Sequence, residues 1–219
     1  MNWSWDFVAQ ITPALMQGLL VTVEITLLSS LAALVIGLFF AVAKMSSVGF
    51  VRRVTIILTE GIRRTPLLVQ LYFLFYVLPD LGILLSPFTA GVIGLGLHYA
   101  TYTSEVYRAG ILNVPVGQWE AASACNLTQR QTWTEIILPQ AIPPMIPPLG
   151  NYVIAMFKET PILSAITVMD LMGEALAQAN FNYRYLEPIT LVAAGFLIVS
   201  LCSAVIINLL EDHLKLRAV

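Results

Sequence analysis

The sequence predicts an all-α transmembrane protein, and three observations lead to this prediction. Of its 219 residues, 58% are hydrophobic and only 11% are charged, with a mean hydropathy of +0.82. Several long stretches contain no Asp, Glu, Lys or Arg, and the basic residues fall mostly in a few short segments. Since soluble domains carry about 25% charged residues, this chain lacks the side chains that a polar shell requires. The composition excludes an ordinary soluble enzyme and makes the lipid bilayer the expected solvent for most of the surface.

The net charge and the cysteine content exclude two further classes. A formal net charge of −2 provides no positive field that would attract nucleic acid. Cys125 and Cys202 are too few for a disulfide framework and do not form a CxxC pair, so we expect both to be reduced. The first ten residues contain Asp6 but no Lys or Arg, which is unlike the start of a signal peptide, and we expect this segment to be retained.

Five transmembrane helices are expected, because a span needs about 20 largely apolar residues. Four stretches without charged side chains are long enough, whereas residues 65–79 reach that length only when extended back through Arg63 and Arg64. The long connection at residues 161–187 is expected to carry a short amphipathic helix on the outer face. Residues 1–219 then form a single domain with spans at about residues 18–44, 54–79, 86–107, 136–160 and 188–210, and a loop at about residues 108–135.

The placement of the basic residues predicts the orientation of the chain. Seven Lys and Arg residues fall on one side of the membrane, and Arg184 falls on the other. Because cytoplasmic loops are enriched in Lys and Arg, we expect the N-terminus outside and the C-terminus in the cytoplasm. The loop at residues 108–135 is then cytoplasmic. The seven basic residues of that side are Lys44, Arg52, Arg53, Arg108, Arg130, Lys215 and Arg217.

The cytoplasmic loop has a composition suited to docking. Pro115 can begin a helix, and Glu120 is followed by a run of small residues that ends at Ala124. Small side chains allow the backbone of a partner to approach closely, and Glu120 offers a charge for a basic group. The alternative, from composition alone, is a solvated connector that lies on the membrane surface.

The order of residues in this loop resembles the EAA loop of bacterial ABC importer permeases. In that family EAA is followed by three residues, a glycine, nine residues and I-x-L-P. The chain matches this spacing from Glu120 through Ala121 and Ala122 to Pro139, with Asn126 where the family has glycine. Asn tolerates left-handed backbone torsions better than most residues, so we expect Asn126 to keep the same turn.

Three further segments are similar to the polar amino acid uptake permeases, and the resemblance covers about residues 14–212. Residues 60–71 (EGIRRTPLLVQL) look like the family segment Y-x-E-x-x-R-G-T-P-L-L-x-Q-L, and residues 102–111 (YTSEVYRAGI) resemble the segment that precedes the EAA loop. Asn151 and residues 158–164 (KETPILS) resemble a run of the form N-x6-K-x-T-S-L-x-S. Arg64 in place of Gly and Pro161 in place of Ser depart from the pattern.

The resemblance implies a five-helix, type I ABC importer permease in the bacterial inner membrane. Its implied partners are cytoplasmic ABC ATPase subunits, a second permease subunit in a homodimer or heterodimer, and an extracytoplasmic solute-binding protein. The implied substrate is a polar amino acid or a related zwitterion, with an ectoine-type system as a narrower assignment. The residues implied to couple this chain to the ATPase are Gly117, Glu120, Ala121, Ala122 and Asn126.

The residues themselves point to an energy source outside the chain. No GxxxxGK[ST] phosphate loop is present, so ATP and Mg are expected to be used by the partner ATPase and not by this chain. Neither HExxH nor GxSxG occurs, and we expect no catalytic residue, no metal and no cofactor here. The alternative function is an ion-gradient-driven carrier or channel component that works without an ATPase.

Polar side chains within the expected spans are candidates for the substrate path. A charge at mid-bilayer costs about 2.5 to 3.5 kcal/mol on insertion scales, so Lys158 and Glu159 are expected to face protein or a water-filled cavity. The alternatives are that both lie at the outer interface, and that Arg64 reaches the lipid phosphates. We expect His98 to be a satisfied polar group within a helix. The candidates for the path are Arg63, Thr65, Gln70, Asn151, Lys158, Glu159 and Thr160.

Five prolines stand at the start of the fourth expected span and are expected to break a plain helix. They either kink the start of that span or form a hinge that moves during transport. These prolines are Pro139, Pro143, Pro144, Pro147 and Pro148.

Overall fold

The computed structural model describes residues 3–217, with the side chains of residue 208 and residues 210–217 outside the described part. The regular elements of the described residues are all helical, and they include two π-helical segments, Phe73–Val77 and Thr132–Ile137, and two 3-10 segments, Leu78–Leu81 and Thr160–Ile166. The side chains of Lys215 and Arg217, which contribute to the predicted orientation, lie outside the described part. The α-helices are α1 (Trp5–Lys44), α2 (Gly49–Arg64), α3 (Leu67–Tyr72), α4 (Pro87–Leu112), α5 (Val116–Ala124), α6 (Gln129–Gln131), α7 (Leu138–Glu159), α8 (Leu171–Asn182) and α9 (Leu186–Arg217).

Two helices of the described part are each long and apolar enough to cross a membrane by length and composition. They are α1 and the Leu186–Ile207 part of α9. The residues from Gln129 to Ile166 pass the same test together with α8, from which they are bent by 45°. α1 begins well before residue 18, because the Ser4 hydroxyl accepts a hydrogen bond from the Phe7 amide and Asp6 suits the positive end of the helix.

The expected span at residues 54–79 is a broken helix. α2 ends at Arg64 and α3 begins at Leu67, with Thr65 in an extended conformation between them (φ −95°, ψ 139°). Pro66 explains the break, since the proline ring disfavours a helical backbone at the preceding residue. The expected span is therefore two helices and not one continuous helix.

The prolines do not interrupt the helix of the fourth expected span, and the kink or hinge expected of them stays a prediction. α7 runs without interruption from Leu138 to Glu159, and it contains Pro143, Pro144, Pro147 and Pro148. These prolines recur at a spacing of four, so the hydrogen bonds that they remove lie together on one side of the helix. The bonds on the other side remain and hold the helix. The distortion falls earlier, in the π-helical segment Thr132–Ile137.

The core of the fold is a close contact between α1 and α4 that depends on small residues. The Thr103 hydroxyl donates to the Ala33 carbonyl oxygen at 2.8 Å. A Cβ atom added at Gly37 would overlap Thr103 Oγ1, and one added at Gly96 would lie 2.9 Å from Ala32 Cβ. Small residues let helix backbones approach closely in a membrane, where no hydrophobic force holds helices together. This contact fixes α4 relative to α1.

The connection between α7 and α8 packs against α1. The Leu171 amide donates to Thr22 Oγ1 at 3.0 Å, and a Cβ atom added at Gly18 would lie 2.7 Å from the Asp170 carbonyl oxygen. Asp170 is fully buried and caps α8, since its Oδ1 accepts from the Gly173 amide at 2.8 Å. α8 is thereby packed against α1 and does not lie free on the surface.

The Asp170 carboxylate is only partly satisfied by this cap. Its Oδ2 atom is buried and has no hydrogen-bond partner among the described residues. Burial raises the pKa of Asp170 from 3.8 to about 6, although hydrogen bonds from backbone amides favour the charged form.

We predict that Gly37→Ala destabilises the protein by about 1 to 3 kcal/mol, because the added methyl group overlaps Thr103 and lies 3.0 Å from the Ala100 carbonyl oxygen. Thermal unfolding in detergent, followed by tryptophan fluorescence, measures the change. Gly61→Ala is the matched control, since no neighbouring atom lies within 4 Å of its Cβ position and alanine favours a helix. Equal unfolding midpoints for the two variants would contradict the tight contact.

A second prediction concerns the pH dependence of stability. Between pH 4 and 6 the folded chain keeps a proton on Asp170 that the unfolded chain loses, because the folded pKa of about 6 exceeds the unfolded value of 3.8. The contribution of Asp170 to stability therefore falls as the pH rises through this window, by up to about 3 kcal/mol, and is constant above it. Asp170→Asn should remove this slope from unfolding midpoints recorded between pH 4 and 7. The exposed carboxylate variant Asp6→Asn is the control and should keep the slope; a slope that persists in Asp170→Asn would refute the assignment.

Candidate functional site

A cavity of about 540 Å³ lies where the end of α2, the start of α3, the middle of α4 and the end of α7 meet. It contains four of the seven residues that the sequence predicts for the substrate path. Its volume falls in the range of small-molecule sites, about 300 to 1,000 Å³. The polar residues that line it are Arg63, Arg64, Thr65, His98, Tyr102, Lys158 and Glu159.

The helix break at Thr65–Pro66 forms one wall of this cavity. A break leaves backbone carbonyls without the amides that a continuous helix would supply. The Gln70 amide and the Thr65 hydroxyl supply donors instead: Gln70 Nε2 donates to the Ile62 carbonyl oxygen at 2.7 Å and to the Thr65 carbonyl oxygen at 3.1 Å, and Thr65 Oγ1 donates to the Ile62 carbonyl oxygen at 2.9 Å. Gln70 Nε2 also lies 2.8 Å from Thr65 Oγ1. Gln70 itself does not line the cavity; it holds the wall in place.

The two arginines of this wall share one carboxylate. Arg63 forms an ion pair with Glu60, and Arg64 Nε lies 3.0 Å from Glu60 Oε2. The Arg63 guanidinium also lies 5.9 Å from the centroid of the Tyr102 ring, within the range of a cation–π contact. The Arg64 side chain is 79% exposed, so Arg63 is the arginine that the fold holds in place.

A second cavity of about 390 Å³ adjoins the first, and Arg63 lines both. The charged side chains that line this second cavity form ion pairs with one another. Lys44 Nζ lies 2.8 Å from Glu105 Oε1, and Arg108 Nη2 lies 2.8 Å from Glu105 Oε2. The Lys44 side chain is only 4% exposed, which explains why its charge requires this partner. Sequence reasoning used Lys44 and Arg108 only as orientation markers; the i,i+3 spacing of Glu105 and Arg108 could have indicated their ion pair, whereas no local pattern indicates that Lys44 joins them.

Lys158 and Glu159 bring opposite charges to the opposite wall of the first cavity. Both are exposed, and both line the cavity at the end of α7. No ion pair or hydrogen bond joins the Lys158 ammonium group to another described residue. An unpaired ammonium group next to a carboxylate can bind both ends of a zwitterion.

Three predicted residues do not line the cavity. Gln70 supports the helix break, as described above. Asn151 is exposed two turns before Lys158 on α7. Thr160 is buried, and its hydroxyl donates to the Phe157 carbonyl oxygen at 2.9 Å. The structure brings Arg63, Thr65, Lys158 and Glu159 together and separates these three from them.

The sequence did not indicate that aromatic side chains line the cavity. His98 and Tyr102 line it, with ring centroids 5.3 Å apart. Tyr102 also belongs to a triangle with Tyr99 and Tyr152, whose centroids are 5.7 to 5.9 Å apart. The expectation for His98 holds in part, since the ring is 8% exposed and its Nδ1 atom lies 3.3 Å from Gln70 Oε1. Its position at the cavity could not be read from the sequence.

The residues predicted to couple the chain to an ATPase lie on or directly after α5. Gly117, Glu120 and Ala121 are exposed, whereas Ala122 is 3% exposed and faces the protein. Asn126 has a φ of +57°, the left-handed conformation expected of a residue that replaces glycine. With Asn126 in this conformation, the Leu127 amide donates to the Ala122 carbonyl oxygen at 3.1 Å and closes the helix.

α5 is held firmly against the ends of α4 and α7. The Trp119 and Trp133 rings pack edge to face, with centroids 5.2 Å apart. Together they cover a buried cluster that joins these elements. The side of α5 that faces away from this cluster is therefore exposed and rich in small residues, whereas the side that faces the cluster is packed against it. The buried members of the cluster are Ile111, Val114, Ile137, Ala141 and Met145.

Known proteins share both the sequence and the fold. Residues 33–216 match a family described as binding-protein-dependent transport system inner membrane component. The chain is 38% identical over 225 residues to "Probable amino-acid ABC transporter permease protein y4tG" of Sinorhizobium fredii, covering 100% of this chain and 97% of that protein. It is 41% identical over 172 residues to "L-cystine transport system permease protein TcyB" of Bacillus subtilis, covering 78% of this chain and 74% of that protein.

A solved structure extends this similarity to the whole fold. The structure is described as "Crystal structure of an amino acid ABC transporter with histidines". It superposes with a TM-score of 0.92 at 36% identity, and the match covers 97% of this chain and 100% of the other.

Proposed function

Because the chain belongs to the family of binding-protein-dependent transport system inner membrane components, we propose that its cavity is the substrate site of an ATP-driven importer for a polar amino acid. The chain is the permease subunit of an amino acid ABC importer in the bacterial inner membrane, and it works with ABC ATPase subunits and a binding protein. One observation carries the proposal: Lys158 and Glu159 line the same cavity as the helix break at Thr65–Pro66.

The chemistry of the cavity suits an amino acid. Lys158 binds the substrate carboxylate, and Glu159 binds its ammonium group, because charge-assisted hydrogen bonds to both ends select a zwitterion. Thr65 supplies a hydroxyl, and the Tyr102 ring lines the cavity. The similar proteins named above are described with amino acids, L-cystine or histidines, which supports this class. Ectoine, a smaller zwitterion, stays a narrower prediction.

The energy for transport enters through α5. The ATPase binds the exposed face that includes Gly117, Glu120 and Ala121, and it uses ATP and Mg, which this chain has no phosphate loop to bind. When the ATPase subunits close, α5 moves with them and displaces the attached ends of α4 and α7. Those two helices carry His98 and Tyr102 on one side of the cavity and Lys158 and Glu159 on the other. Their relative movement changes which side of the membrane the cavity opens to.

A second permease subunit completes the path, either as a copy of this chain or as a related one. The orientation follows the basic residues, with α5 in the cytoplasm and α8 outside. The binding protein then delivers substrate from the side of α8.

The role of α5 predicts that Ala121→Arg uncouples transport. The large charged side chain prevents close contact with the ATPase, and we expect ATP-dependent uptake to fall by a factor of about 10 or more, since a loss of about 1.4 kcal/mol suffices. The measurement is uptake of radiolabelled amino acids into proteoliposomes that contain permease, ATPase and binding protein. Ala121→Ser is the matched control and should retain uptake. Normal uptake by Ala121→Arg would exclude docking at this face, and uptake without the ATPase would favour the ion-gradient alternative.

The role of the cavity predicts that Lys158→Gln and Glu159→Gln each raise the KM of uptake. Each removes one charge-assisted hydrogen bond, worth about 1.5 to 3 kcal/mol, so we expect a rise of roughly 10- to 100-fold. A panel of L-glutamine, L-cystine and L-histidine serves as the probe. Asn151→Ala, on the same helix but outside the cavity, is the control and should leave KM unchanged. Unchanged KM values for both charge variants would contradict the substrate site.

A further inference from the structure

His98 occupies the junction between the cavity and the helix break that forms its wall. The ring lines the cavity, yet it is buried except for 8% of its surface. Its Nδ1 atom lies 3.3 Å from Gln70 Oε1. The Gln70 amide donates to two carbonyl oxygens of the break, so the hydrogen bond from His98 links α4 to a side chain that supports the wall formed by the break.

The contacts of Gln70 determine the direction of that hydrogen bond. The Gln70 Nε2 atom faces two carbonyl oxygens, of Ile62 and Thr65, and only a donor is compatible with such neighbours. The other atom of the amide, Oε1, is then an acceptor. Nδ1 of His98 must therefore carry a proton, which fixes the neutral ring in the Nδ1–H tautomer and leaves Nε2 as an acceptor.

A second contact joins the same two elements. Tyr102 lies one turn after His98 on α4, and its ring contacts both the imidazole and the Arg63 guanidinium, at 5.3 Å and 5.9 Å. Arg63 stands at the end of α2, directly before the break. The cavity wall formed by the break is thus attached to α4 on both sides of Pro66, through Gln70 after it and Arg63 before it.

We propose that His98 is a positioning residue that fixes the helix break against α4 by donating from Nδ1 to Gln70. The bond holds the Gln70 amide in the orientation in which Nε2 satisfies the carbonyls of Ile62 and Thr65. Without it the amide can rotate, the break loosens, and Thr65 and Arg63 no longer keep their positions at the cavity. The consequence for transport rests on the proposed substrate site, whereas the hydrogen bond itself does not.

The first experiment measures the tautomer and requires no substrate. The full chain with His213→Gln retains His98 as its one histidine, because the sequence contains two. With ¹⁵N-labelled histidine in lipid nanodiscs at neutral pH, we expect the nitrogen chemical shifts to show a protonated Nδ1 and a bare Nε2. Gln70→Leu removes the acceptor, and the ring should then shift towards the Nε2–H form. A protonated Nε2 and a bare Nδ1 in the chain that keeps Gln70 would overturn the proposal.

The second experiment separates positioning from ring packing. In the assembled importer, His98→Phe keeps an aromatic ring but has no donor, and it should raise the KM of amino acid uptake roughly tenfold while the maximal rate stays within about twofold. His98→Asn restores an N–H group close to the position of Nδ1, and it should return KM to within about twofold of the unaltered value.

Each outcome of the second experiment is decisive. Equal damage in His98→Asn and His98→Phe would overturn the positioning role, because the donor would then not matter. Unaltered KM in both variants would overturn it as well. If the tautomer is as expected but Lys158→Gln and Glu159→Gln leave KM unchanged, the hydrogen bond stands and the proposed substrate site fails.

Discussion

A helix that stops within a membrane must satisfy its last carbonyl groups with protein atoms, because the hydrocarbon core contains no water to do so. The break at Thr65–Pro66, within the second expected span, meets that requirement with two side chains: the Gln70 amide donates to the Ile62 and Thr65 carbonyl oxygens, and the Thr65 hydroxyl donates to the Ile62 carbonyl oxygen at 2.9 Å. The position of the wall that carries Arg63 and Thr65 follows from this arrangement. The positions of the polar side chains at the cavity thus depend on the hydrogen bonds that the backbone carbonyl groups of the break accept.

The rest of the fold supplies a rigid frame for that wall. α4 is fixed to α1 by contacts between small residues, among them Gly37 and Thr103. Because Gln70 and Arg63 attach the break to α4, the α2–α3 wall belongs to the same frame. The ion pair between the buried Lys44 and the partly exposed Glu105 adds a further bond between α1 and α4. Such compensated charges add little stability but require one specific arrangement of the helices that carry them.

The sequence was sufficient for those features that depend on residue type and spacing. The resemblance identified α5 and its left-handed Asn126, and the cost of burying charge identified Lys158 and Glu159 as residues that face a cavity. It was insufficient where the outcome depended on geometry. The Gln70 amide could hydrogen-bond a substrate or a backbone carbonyl. The helix break determines that it binds backbone carbonyls. The prolines of α7 lower helix stability one by one, yet their common spacing leaves the helix continuous.

The arrangement also determines which parts of the protein can move relative to each other. α5 is packed through Trp119 and Trp133 against the π-helical segment that leads into α7, and both rings cover the cluster that contains Ile111 of α4 and Ala141 of α7. If the ATPase displaces α5, we expect α4 to move together with α1 and the helix break, since α4 is hydrogen-bonded to both. α7 contacts α4 near the cavity through the Tyr152 ring, 5.9 Å from Tyr99 and 5.7 Å from Tyr102, and Lys158 lies about 30 Å along α7 from Leu138, at about 1.5 Å per residue. A rotation of α7 about the end near α5 would therefore displace Lys158 much further than Leu138, and it would have to change the ring contacts of Tyr152 with Tyr99 and Tyr102.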